Sequence, residues 1–365
     1  MKTERAKEIL LQLLRIPSPS GGEDRIMLHI MEFLHRLDYD VHIESDGEII
    51  DLVVNPDADL FYEVHVDTIP VRAEPFVRGN IIYGTGSSDI KGGAAAILLM
   101  MESLKKEGKD LNVGVVFVSD EELGGRGSAL FMERYRPKMA VVLEPTDLEV
   151  HIAHAGNIEA YFEVDGKEAH GACPESGVNA IEETYKMLND LKNLEPFKQK
   201  GKYFDPHIGI QELVCENPVY LIPALCRGRL EARLLPNQEV EDVLDLMDPI
   251  LDEYTLKYEY TEIWDGYELS EDEEIVKLAK VAMDRVGLDE FGGMRSWTDA
   301  INFMYNGTKT IVFGPGNLDI SHTKHERIDV RDVVTASEFL KVLNEVYAEG
   351  IERVERELEA ISDKK

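Results

Sequence analysis

The chain is 365 residues long, carries a formal net charge of -32 and is 44% apolar. At roughly 150 residues per domain, that length predicts two domains, and the composition can fill a core in each. So acidic a balance repels polyanions and excludes nucleic acid and an anionic membrane surface as partners, and no apolar run approaches the roughly 20 residues that a bilayer crossing takes.

Ala6, Ile9, Leu10, Leu13 and Leu14 keep the spacing of an amphipathic helix, with Thr3 as its cap, and read as folded chain rather than as a signal peptide. Residues 49–54 and 60–66 predict strands. Residues 91–105 predict a helix opened by the run Ser87-Ser88-Asp89. Residues 113–119 and 139–143 are unbroken, valine-rich apolar runs, suited to strands buried on both faces of a helix-covered parallel sheet. Residues 158–164 alternate apolar and polar side chains, as a one-sided strand does. A helix at 178–191, a strand at 229–235 and a helix at 240–254 make a small α+β unit. The first style then returns, with a helix at 275–286, a buried strand at 310–313 and one long helix over 336–358, before a frayed end at 361–365. The expected fold is α/β, a mixed and largely parallel sheet sandwiched by helices and formed by residues 1–155 and 266–365. Residues 156–265 are an inserted α+β domain.

The cysteines are Cys173, Cys215 and Cys226, an odd set without a C-x-x-C pair, which predicts reduced thiols in a cytoplasmic protein. Glutamine is scarce and charge abundant, the bias of heat-adapted proteins.

Candidate ligands gather behind the predicted strands. The strand at 60–66 carries His65 and runs into Asp67. The strand at 113–119 runs into Asp120, Glu121 and Glu122, the strand at 139–143 into Glu144, and the strand at 310–313 through Gly314-Pro315-Gly316 towards His322, with which His325 competes. Open α/β sheets bind ligands beyond the carboxyl ends of their strands. His65 and Asp67, two apart, share a face, so Asp67 can hold the second ring nitrogen of His65; the pair reads equally as a strand-end ion pair. Asp89, among glycines and serines, reads as a helix cap or as a ligand. Glu121 and Glu122 diverge as neighbours do, so one can bind metal while the other handles a proton; the plainer reading is two solvated loop acids. Glu144 ends a buried strand, where an acid is costly unless paired or metal-bound. Together, histidines and carboxylates suit two divalent ions, zinc, cobalt or manganese.

With these residues in view, the chain resembles the M20 metallopeptidases, in particular the acetylornithine deacetylase and succinyl-diaminopimelate desuccinylase group. The resemblance rests on His65-Val66-Asp67, Gly86-Ser87-Ser88-Asp89-Ile90-Lys91-Gly92-Gly93, Asp120-Glu121-Glu122, Glu144-Pro145-Thr146 and Ser321-His322-Thr323, in order along nearly the whole chain. It implies that Asp89 bridges two metals, that His65 and Glu144 complete one and Glu122 and His322 the other, that Asp67 backs His65, and that Glu121 is the general base. It also implies a cis peptide after Asp89. The inserted segment resembles the family's lid or dimerisation domain through Glu168-Ala169-His170-Gly171 and Gly177-Val178-Asn179-Ala180. His170 then serves a neighbouring subunit's site in a homodimer, and Arg233 holds the substrate carboxylate.

The chain departs from the family pattern at Tyr220, where an asparagine is usual, at Thr85 and at Lys324-His325. The activity implied is removal of an acetyl- or succinyl-type group from an N-acyl amino acid, which Glu144 favours because the peptide-cleaving branches of the family often carry aspartate at that position. A dipeptidase or carboxypeptidase acting on short peptides is the alternative within the family, and a non-catalytic metal-binding relative the alternative outside it.

Overall fold

The computed structural model describes residues 2–217 and 219–362. The chain opens with α1 (Lys2–Leu14), α2 (Asp24–His35), β1 (His42–Ser45), β2 (Ile50–Val54), β3 (Leu60–His65), β4 (Phe76–Arg78), β5 (Ile81–Tyr83), α3 (Lys91–Glu107), β6 (Gly114–Val118), α4 (Arg126–Arg134), β7 (Met139–Val142) and β8 (Val150–His154). There follow β9 (Gly156–Asp165), α5 (Ala180–Lys192), β10 (His207–Val214), β11 (Leu225–Leu234), α6 (Val240–Tyr254), β12 (Lys257–Trp264) and β13 (Tyr267–Glu268). The last stretch holds α7 (Glu274–Val286), β14 (Phe291–Met294), α8 (Ala300–Tyr305), β15 (Lys309–Val312), β16 (Arg327–Asp329), α9 (Val330–Glu349) and α10 (Ile351–Ser362). Two compact units result: Met1–Ile152 with Leu269–Gly292 and Thr298–Lys365, and Ala153–Glu268 with Gly293–Trp297.

The first unit has the expected α/β fold. Its sheet runs β1-β2-β6-β3-β7-β15-β8. The centre is parallel: β3 pairs with β6 from Phe61↔Gly114 to His65↔Val118 and with β7 from Leu60↔Met139, and β7 pairs with β15. The flanks β1, β2 and β8 are antiparallel. Every residue of β3, β6 and β7 is buried, as strands covered by helices on both faces must be. Close packing is written into the pairing: a Cβ on Gly114 would meet the ring of its partner Phe61 at 2.3 Å, so only glycine fits there. Because β3, β6, β7 and β15 run the same way, their carboxyl ends emerge along one edge.

The second unit is built on an antiparallel sheet, β10-β11-β9-β12. Along β9 buried residues alternate with more exposed ones, and Ile158, Ala160, Phe162 and Val164 pack with Leu230 and Ala232 of β11 and with Met187, Val243, Met247 and Leu251 of α5 and α6.

Several expectations give way to local chemistry. Thr3 lies inside α1 and caps nothing. The cap residue of α3 is Ile90, with no side-chain cap; the peptide Asp89–Ile90 is cis, as the resemblance implied. The single long C-terminal helix is two, since Gly350 at φ +83° ends α9; α9 also starts earlier, where the Asp329 side chain accepts the Arg331 N–H. Positions 363–365 of the expected frayed end lie outside the described residues. No helix among the described residues is long and apolar enough to cross a membrane.

The cysteines also differ from the expectation of reduced thiols. Val214 pairs with Arg227 at the loop end of the β10–β11 hairpin, which sets Cys215 against Cys226, and the two are disulfide-bonded. Cys173 is free. Sequence spacing carries no sign of this, because the hairpin register makes the pair. Thiol titration of the denatured chain is expected to find one reactive thiol before reduction and three after it, and reduction of the folded protein to cost about 2–3 kcal/mol of stability in denaturant unfolding. Three thiols without reductant would exclude the bond.

Candidate metal centre

His65 is the last residue of β3 and is buried. Its Nδ1 lies 3.3 Å from Asp67 Oδ1. Asp67 does more than orient that ring: it accepts the Ser20 hydroxyl at 2.7 Å and the backbone N–H groups of Glu121 and Glu122, each at 3.1 Å. The chain leaves β6 in a sharp turn with Asp120 at φ +65°, its carbonyl receiving the N–H groups of Gly124 and Gly125 and its carboxylate held by Arg126 at 2.8 Å. The turn aims two successive N–H groups at Asp67, and the side chains of Glu121 and Glu122 part into two different clusters.

In the first cluster, ligand atoms of His65, Glu121 and Glu144 lie within 4.8 Å of one another; in the second, those of Asp89, Glu122 and His322 do. Asp89 faces both. Its Oδ1 is 3.4 Å from Nε2 of His65 and its Oδ2 is 3.4 Å from Nε2 of His322. Glu122 Oε2 is 2.9 Å from His322 Nε2, while Glu121 Oε2 and Glu144 Oε1 are 3.7 and 3.8 Å from His65 Nε2. Two ligands about 2.1 Å from a tetrahedral ion stand about 3.4 Å apart, so the spacing suits shared cations. His65 Nε2 and Glu144 Oε1 are fully buried and have no hydrogen-bond partner. Buried polar atoms are rarely left so, and a cation satisfies both. The nitrogen and carboxylate donors are the set that zinc, cobalt and manganese take. His322 is half exposed, so the cluster is open to solvent on that side.

The electrostatics point the same way. Burial lifts the carboxyls of Glu121 and Glu144 well above the ordinary range, with neighbouring acids adding to it, and burial lifts Glu122 as well. Asp67 stays below the ordinary range despite burial, because His65, Ser20 and the backbone donate to it. Asp89 is likewise lowered against its burial by the two histidines. His65, although burial opposes its charge, is raised well above its ordinary value by Glu121, Asp67, Asp89 and Glu144. His322 is pushed up to about 10, by Asp89 and Glu122. The site holds an excess of negative charge that draws protons until something more positive replaces them.

His170 and Arg233 belong to the other unit. His170 is exposed, its Nδ1 accepts the Ala172 N–H at 3.1 Å, and its ring meets Tyr220 edge-on at 5.5 Å. Arg233 is already paired, with Glu231 at 2.6 Å and with the carbonyl of Arg295. Several residues around the centre escaped the sequence reading. Glu63, two before His65, is buried with both carboxyl oxygens unpartnered, and burial lifts it well above its ordinary range. Asp299 accepts the Ser128 hydroxyl and is raised to about 6, chiefly by burial. Ser20 and Glu326 make hydrogen bonds to the ligand-bearing segments. The period-two pattern from Glu63 to His65 was a usable signal for Glu63; nothing in the sequence marked the others.

A family model described as peptidase family M20/M25/M40 matches residues 61–345. A Pyrobaculum aerophilum protein, provisionally named a LysW-lysine/LysW-ornithine hydrolase, is 25% identical over 336 residues, covering 92% of this chain and 95% of that protein. The acetylornithine deacetylase of Klebsiella pneumoniae is 24% identical over 305 residues, 76% of this chain and 77% of the enzyme. Among solved structures, the aminopeptidase PepT of Bacillus cereus superposes with a TM-score of 0.77 at 20% identity, over 95% of this chain and 99% of that one.

Metal binding and protonation compete at these histidines. The folded, metal-free protein holds the His322 proton up to about pH 10, and a ligating imidazole must give it up. Apparent metal affinity is therefore expected to rise from pH 6 to pH 9, with proton release on binding, in titration calorimetry run in buffers of different ionisation enthalpy. Affinity independent of pH would contradict the assignment.

Proposed function

The chain belongs to peptidase family M20/M25/M40, and from that premise we propose that it is a two-metal amide hydrolase that frees an amino acid by removing an acetyl- or succinyl-type acyl group from its amine. The observation that carries the two-metal reading is Asp89, with one carboxylate oxygen towards each histidine and Glu121 beside it. His65, Glu144 and Asp89 would hold one ion, and Asp89, Glu122 and His322 the other; zinc is the metal we favour, with cobalt and manganese open to the same donors.

When bound, the ions supply Lewis acidity, drawing charge from the amide carbonyl and acidifying a water. Glu121 takes the proton of that water as its oxygen adds to the carbonyl carbon, and passes it to the departing nitrogen as the C–N bond breaks. Asp67 fixes the His65 ring and the backbone of Glu121. His170 of a second copy in a homodimer stabilises the oxyanion. Arg233 exchanges Glu231 for the free carboxylate of the substrate.

The two sequence relatives support the acyl-amino-acid class. Both names describe hydrolysis that frees a diamino acid, lysine or ornithine. A net charge of -32 suits a cationic side chain on the substrate, which it attracts and concentrates.

Two measurements test this. Glu121→Gln is expected to lower kcat by about 10²–10⁴-fold with two metal ions still bound; retained turnover, or lost metal, removes Glu121 from the role of base. A panel of N-acetyl and N-succinyl amino acids and dipeptides, assayed with added zinc, cobalt or manganese and with a chelator control, is expected to show metal-dependent release from N-acyl lysine or ornithine. Cleavage of dipeptides alone would assign the peptidase branch instead.

A further inference from the structure

The loop carrying Asp89 is held by a residue that touches neither cluster's ligand atoms. Gly86, Ser88 and Asp89 point their backbone N–H groups in one direction, and all three meet the carboxylate of Glu326. Its Oε2 accepts from Gly86 at 3.2 Å, and its Oε1 accepts from Ser88 at 2.9 Å and from Asp89 at 3.1 Å. The Glu326 carbonyl accepts a fourth, from Gly84, at 3.2 Å. Converging backbone N–H groups of this kind form an anion-binding concavity, and here the protein fills it with its own buried glutamate. The loop has no slack for another shape: Gly86 sits at φ +81°, and a Cβ there would come within 2.7 Å of Thr68.

Glu326 also stands four residues after His322. The His322 backbone is at φ +60°, and its carbonyl accepts Arg72 Nη1 at 3.0 Å, while the Arg72 N–H donates to Thr85 of the Asp89 loop at 2.8 Å. Ser88 closes the same seam, exchanging hydrogen bonds with Asn317 at 2.8 and 3.2 Å. The segments carrying Asp89 and His322 are therefore tied to each other, and the glutamate is the tie that reaches the Asp89 backbone itself.

We propose that Glu326 is a positioning residue: it ligates no metal and meets no substrate, and its carboxylate sets the backbone of residues 84–89 so that Asp89 reaches both ion positions at once. The proposal rests on the two-metal reading of the site and not on the choice of substrate. Each of its oxygens already accepts backbone N–H groups, and it belongs to neither cluster of candidate ligand atoms, whereas Glu144 Oε1 has no partner.

The test is metal affinity in the full-length protein, by chelator competition and by elemental analysis of the ions retained, with melting of the metal-free protein recorded alongside. Glu326→Gln keeps the size but turns an NH₂ towards a backbone N–H. It is expected to weaken binding about 10–100-fold, the usual effect of removing a residue that supports a ligand, with kcat returning as metal is added in excess and KM little changed. Two ions held as tightly as in the wild type would overturn the proposal, whatever the melting temperature does. If Glu326→Gln does not fold, Glu326→Asp reads the same quantity, since it keeps the charge and loses the reach; undiminished affinity there overturns the proposal equally. Because metal binding is the readout, a wrong acyl substrate leaves the result unaffected.

Discussion

Everything around the centre follows from one cost: five carboxylates, Asp67, Asp89, Glu121, Glu122 and Glu144, are crowded with two histidines at a largely buried sheet edge. Taking several like charges out of water is unfavourable unless something positive joins them. The structure answers with hydrogen bonds wherever backbone can supply them, as at Asp67, and leaves other atoms, His65 Nε2 and Glu144 Oε1, with nothing to bond. A fold that satisfies some members of a cluster so fully and leaves others bare is arranged for a cation to complete it. Burial raises the carboxyls of Glu121 and Glu144, and the surrounding acids raise the rings of His65 and His322.

The sheet pays that cost because of its topology. Parallel pairing of β3, β6, β7 and β15 brings four chain exits to one edge, and apolar strands buried on both faces hold those exits rigid. Ligands on the ends of packed strands keep their places better than ligands on free loops. The two ligands that do not follow a strand directly, Asp89 and His322, are the ones that receive extra ties, through Glu326, Arg72 and Ser88.

The legible part of this protein was the part that depends on local pattern. Unbroken valine runs revealed the central strands, and alternation from residue 158 revealed the one-sided sheet of the second unit. Of the candidate ligands, His65, Glu121, Glu122 and Glu144 stand at or just beyond the ends of those strands, whereas Asp89 and His322 do not. What stayed hidden depends on contacts between distant segments. Glu326 is an unremarkable acid until the loop at 84–89 folds against it, and the Cys215–Cys226 bond exists only through a hairpin register. The run Ser87-Ser88-Asp89 misled for a related reason. Its residues have the chemistry of a helix cap, but Asp89 faces the two histidines, and α3 begins without a side-chain cap.

The neighbours Glu121 and Glu122 show how one backbone detail divides a mechanism. The same side chain occupies both positions, so sequence chemistry alone cannot say which one holds metal. Asp67 receives the N–H of each, one per carboxylate oxygen, and this pins the direction in which consecutive Cα–Cβ bonds leave the turn. Glu122 is sent towards His322, whose ring lies 2.9 Å away, and Glu121 towards His65 and Glu144, at a longer 3.7 Å from the nearest ring nitrogen. Asp67 thus orients the His65 ring with one oxygen and, with the same carboxylate, sends Glu121 and Glu122 into different clusters, which accounts for a buried acid bonded on so many sides.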